Sequence, residues 1–218
     1  MSSKLIRWGG PAMMLGGLLW NLTYVVEIII GLTLGEAVYN QPDASASLLE
    51  WLWPACFMGA IFFLGIGLLG VRARLEGRSK VWGLLGALLA CVAIVAASIN
   101  LVLLTGAFGE PTALDGVGFL GVVGVIFGSI LLGIATLRAK VLPRWARVVL
   151  TLTPFAFIPV IIATIPLESV APEYVIADLP FPVVGAVLAT VGYAVLGSRE
   201  DAEETMKNRP LDAEPAGE

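Results

Sequence analysis

The sequence predicts an all-α integral membrane protein: six transmembrane helices, paired as three tandem in–out–in hairpins that form one bundle. Three observations predict it. The chain is 58% hydrophobic and only 14% charged, whereas soluble domains carry about 25% charged residues. Too little polar surface remains to clothe a water-facing globule of this size. Next, six apolar stretches reach the roughly 20 residues that a helix needs to cross a hydrocarbon core: 8–34, 50–73, 81–107, 115–137, 145–168 and 180–198. Each is about twice the length of a membrane β-strand and is apolar on all faces, which excludes a barrel. Lastly, all 13 basic residues gather at one set of span ends.

Span 1 follows Lys4 and Arg7. It resembles a signal peptide in its basic start, but its length and the lack of a small-x-small cleavage site read as an uncleaved first span. Arg72, Arg74, Arg78 and Lys80 lie between spans 2 and 3, and Arg138, Lys140, Arg144 and Arg147 between spans 4 and 5. Arg199, Lys207 and Arg209 follow span 6. The alternate loops carry only acids: Glu36, Asp43 and Glu50, then Glu110 and Asp115, then Glu168, Glu173 and Asp178. The positive-inside rule places the basic loops and both termini in the cytoplasm. A plasma membrane, bacterial or archaeal, is the expected location; "VLPRWARVVL" (141–150) resembles inner-loop phrases of small bacterial membrane proteins. The acidic, proline-bearing tail 199–218 should be disordered beyond a short helical extension.

The hairpin organisation rests on repetition. "GIGLLG" (65–70), "GSILLG" (128–133) and "GYAVLG" (192–197) share the frame G-x-x-x-L-G near the inner end of spans 2, 4 and 6. Trp8, Trp82 and Trp145 open spans 1, 3 and 5. Such recurrence indicates repeat units of about 8–73, 81–137 and 145–198 within a 1–198 membrane domain. Mitochondrial carriers share six helices in three hairpins, but their Pro-x-acid-x-x-basic signature is missing from every odd span.

Lipid tails do not drive helices together, so small residues mark the touching faces. Gly86, Ala90, Ala93, Ala97 and Asn100 form one stripe on span 3. Gly121, Gly124 and Gly128 form another on span 4, and Gly185, Ala189 and Gly192 a third on span 6. Span 5 differs: Pro154 and Pro159 lie within it and predict a bend or hinge, with Thr151, Thr153 and Thr164 available to satisfy freed carbonyls.

Glu27 is the one ionisable residue well inside a span. An acid there is costly and is expected to face the bundle or a watery cavity. Gly16, Trp20, Thr23, Glu27 and Gly31 share its helix face, with Asn21 and Tyr24 on the adjoining one. Glu27, Asn100 and Thr164 stand at similar depths beyond Trp8, Trp82 and Trp145, so three hairpins around an axis would let them converge. The expected site is therefore a proton, ion or ligand site at Glu27, Asn100, Thr164, Asn21 and Tyr24, in a small transporter or ion-linked binding protein. The alternative is a non-catalytic membrane scaffold or sensor subunit.

No enzyme is expected. The chain has no His, which removes His-ligated zinc or haem and His-based triads. Cys56 and Cys91 fall at different depths and predict no redox pair. No P-loop or dinucleotide fingerprint occurs. No cofactor, metal or nucleic acid is expected. The expected partners are the lipid bilayer and, at the basic loops, anionic lipids.

Overall fold

The computed structural model describes residues 3–34, 48–75, 78–107, 115–167, 172–176 and 179–207. Among the described residues every regular element is helical: α1 (Ser3–Leu34), α2 (Leu48–Ala73), α3 (Lys80–Leu104), α4 (Asp115–Ala139), α5 (Arg144–Leu152), α6 (Phe157–Thr164), α7 (Glu173–Ile176) and α8 (Pro180–Lys207). Single 3₁₀ turns, Thr153–Ala156 and Ile165–Leu167, flank α6. Six helical stretches are long and apolar enough to cross a membrane, with α5 and α6 together forming the fifth. The build is compatible with a multi-pass membrane protein. α8 continues beyond 198 to Lys207; the rest of the tail, 208–218, lies outside the described residues, as do the loop acids Glu36, Asp43, Glu110, Glu168 and Asp178.

Glycine sets the packing. A Cβ on Gly9 would stand 2.6 Å from the Gly70 Cα, and one on Gly67 2.6 Å from the Met13 Cβ. α1 and α2 are thus antiparallel neighbours in near backbone contact. On its other side α1 meets α8, where a Cβ on Gly192 would lie 2.8 Å from the Met14 amide nitrogen. α3 and α4 pair through Gly86 against Leu132 and Gly124 against the Leu89 carbonyl and Ala93. α2 packs on both α3 and α4 and is the most enclosed span, whereas the fifth is the least.

The small-residue stripe of α3 is the buried one: Gly86, Ala90, Ala93, Ala97 and Asn100 all face protein. The opposite face, including Val81, Leu84, Leu88, Val92, Val95 and Val102, is exposed. A face that apolar suits hydrocarbon and would be costly in water.

The repeated G-x-x-x-L-G frame now has a physical reading. Its two glycines are five positions apart, about 140° around a helix, so they address different neighbours. On α2, Gly65 meets Ala90 and Ile94 of α3 while Gly70 meets Gly9 of α1. On α4, Gly128 approaches Gly86 of α3 while Gly133 meets Thr151 of α5. On α8, Gly192 meets α1, but a Cβ on Gly197 would touch nothing among the described residues. The frame wedges each even span between its neighbours, completely in the first two cases and by half in the third.

Candidate functional site

The face of α1 that gathers Gly16, Trp20, Thr23, Glu27 and Gly31 is buried throughout. Eighteen residues make five helical turns, so Glu27 stands almost in line with Gly9, which abuts α2. The antiparallel register Gly9–Gly70 and Met13–Gly67 carries Glu27 to the level of Leu52 and Trp53 near the start of α2. Its side chain is only 4% exposed. Glu27 faces protein and not the outer surface.

Its neighbours on α1 are largely committed. The Thr23 hydroxyl donates to the Leu19 carbonyl at 2.9 Å. The Asn21 Nδ2 donates to the Gly17 carbonyl at 2.8 Å, beside Gly185 of α8. The Tyr24 hydroxyl reaches across to the short helix α7 and donates to the Val175 carbonyl at 2.7 Å. That bond fastens α7 over the same end of α1 that carries Glu27.

Seven polar residues are buried among those described: Thr23, Glu27, Asn100, Ser129, Thr136, Thr153 and Thr164. Every hydroxyl of the set donates to a carbonyl three or four residues back along the chain. Asn100 does so too, from Nδ2 to the Ala96 carbonyl at 3.2 Å. Such bonds pair a hydroxyl donor without a partner helix. Glu27 is the one carboxyl in the set.

The three residues at matched depth occupy separate junctions. Glu27 lies on the α2-facing side of α1. Asn100 lies where α3 meets α4, its Nδ2 beside Gly118, which in turn abuts Met58 of α2. Thr164 is in α6, and α6 packs on α8 and its adjoining turns. α1 and α3 each pack on α2 and do not pack substantially on one another. α2 and α4 also pack on each other. Glu27, Asn21 and Tyr24 stand on α1, Asn100 on α3 and Thr164 on α6.

Below Glu27 the bundle is filled by rings that the sequence alone did not reveal as a cluster. Trp20, fully buried, lies 5.6 Å from Phe181 and 6.4 Å from Phe57, between ring centroids. Phe57 stacks on Trp53 at 5.4 Å, and Phe181 meets Phe57 and Phe157 edge-on at 5.6 Å each. The cluster ties α1, α2, α6 and α8 together. Within it the Trp20 Nε1 is buried with no hydrogen-bond partner among the described residues.

The fifth span breaks as its prolines predict. α5 ends at Leu152, a 3₁₀ turn carries Pro154, and α6 restarts at Phe157. Pro159 then falls in the first turn of α6, where its missing N–H would have been unpaired in any case. The buried Thr153 hydroxyl donates to the Val149 carbonyl at 2.6 Å. Thr151 likewise donates to the Arg147 carbonyl at 2.8 Å.

Chemically, a buried carboxyl can take up or release a proton or hold a small cation. Among the described residues no three of His, Cys, Asp and Glu come together as a metal set, and Cys56 and Cys91 are both free. Comparison with protein-family models, with curated proteins and with solved structures gives no match.

Proposed function

We propose that this chain is a small membrane transporter or ion-linked binding protein in which Glu27 carries the exchanged proton or cation. The observation that carries the reading is the burial of a carboxyl, that of Glu27, on the inward face of α1. A broken fifth span supports it: α5 and α6 are the least enclosed part of the bundle and meet α8 lightly, so they are the elements freest to shift. We also place the basic loops and both termini in the cytoplasm, with Glu27 toward the outer face of a plasma membrane. In proteoliposomes carrying an entrapped pH dye, the wild-type protein should produce a solute-dependent proton flux. Glu27→Gln should abolish that flux while leaving the protein folded.

The second reading, a non-catalytic scaffold or sensor subunit, is favoured by the ring cluster around Trp20 and by the backbone-close glycine contacts, both of which make a closely packed interior. Under it Glu27→Gln changes thermal stability and nothing else. No catalytic role is assigned.

A further inference from the structure

At the basic end of the bundle a cleft of about 510 Å³ opens between the turn that follows α2 and the end of α4, lined by Arg78, Ser79, Lys80, Val81, Trp82, Arg138 and Ala139. Three of these side chains are cations. The Arg138 guanidinium lies over the Trp82 ring, 5.5 Å from its centroid, and is held there by cation–π attraction. The cleft also receives the start of α3. Ser79 occupies the N-cap position with φ 54° and ψ 50°, in the left-handed region, and its side chain makes no cap bond to the first-turn amides. The Ser79 hydroxyl is instead buried without a hydrogen-bond partner among the described residues. An uncapped helix start carries about half a positive charge and presents N–H groups to an anion.

We propose that this cleft binds the phosphate of an anionic phospholipid. Arg78, Lys80 and Arg138 surround the phosphate, and Arg138 is preset by Trp82. A soluble phosphate would find the same charges, but the cleft continues into apolar surface. Val81, one of its walls, heads the exposed stripe Leu84, Leu88, Val92 and Val95 of α3. A headgroup seated in the cleft can lay an acyl chain along that stripe. This site is separate from Glu27 and does not depend on the transport reading.

The test is native mass spectrometry of the full-length, detergent-solubilised protein titrated with phosphatidylglycerol or phosphatidylcholine. The wild-type protein should retain phosphatidylglycerol in preference, and added salt should weaken it. Arg138→Ala should weaken phosphatidylglycerol binding about fivefold, the usual worth of one cation at a membrane surface. Arg144→Ala, which removes an exposed cation from the same end but outside the cleft, should leave binding unchanged. Equal retention of the two lipids by the wild-type protein would overturn the proposal, as would equal losses in Arg138→Ala and Arg144→Ala. Displacement of the lipid by millimolar inorganic phosphate would overturn the lipid assignment in favour of a soluble anion.

Discussion

Single atoms decide much of this bundle. Gly9 and Gly70 face each other so closely that a methyl group on Gly9 would sit 2.6 Å from the Gly70 Cα. Only movement of a helix backbone can make room, and overpacking of this kind costs about 1–3 kcal/mol. Gly9→Ala should therefore lower the thermal midpoint of the detergent-solubilised protein clearly. Among the described residues Gly116 and Gly197 have open space where a Cβ would go, so Gly116→Ala should be neutral or raise stability by up to about 1 kcal/mol through helix propensity. If both substitutions behave alike, the close approach of α1 and α2 is wrong. Glu27 belongs to the same scale. Its inward aim was legible from the spacing Gly16–Trp20–Thr23–Glu27–Gly31, because a five-residue face on one helix follows from periodicity alone. The Tyr24 bond to Val175 was not legible, since it joins positions far apart in the chain and no local pattern announces it.

At the scale of elements, the fifth span shows how a sequence can state a break but not its form. Pro154 and Pro159 require that two amide donors be missing. Whether the chain answers with a kink, a π-bulge or a restart depends on the surroundings. Here it uses a 3₁₀ turn, and Pro159 lands where α6 begins afresh. Thr153 is pinned in that turn, 2% exposed and bonded to the Val149 carbonyl. Thr153→Val keeps the shape and removes the bond, and should cost about 0.5–1.5 kcal/mol in a denaturation titration. Thr190→Val, whose hydroxyl donates to the Ala186 carbonyl on an exposed face of α8, should cost less. The reverse order would mean that the turn is not held by Thr153. The same scale explains the mixed fate of the repeated frame. Two glycines set about 140° apart suit any helix squeezed between two others. The frame therefore reports a packing requirement shared by α2, α4 and, in part, α8, whether or not the hairpins arose by duplication.

For the whole molecule, six spans were readable because length and apolarity are properties of the chain itself. The neighbour relations were not, because any of several circuits satisfies the same six faces. Pairings such as α1 with α8 and α2 with α4 join faces that no local pattern links. What charge adds is direction. Arg78, Lys80, Arg138, Lys140 and Arg144 are exposed at one end of the bundle, whereas Thr33 and Thr105 are exposed at the other. Moving several Lys and Arg through a bilayer is far costlier than moving the acid-bearing loops. With Cys56 and Cys91 replaced by serine, single cysteines at positions 33 and 105 should react with a membrane-impermeant maleimide in intact cells. Cysteines at 78 and 144 should react only after the membrane is opened. Labelling of 78 or 144 in intact cells would invert the protein. Glu27 would then open to the cytoplasm and the phosphate cleft to the outer leaflet, so this one map fixes which compartment each proposed site can sample.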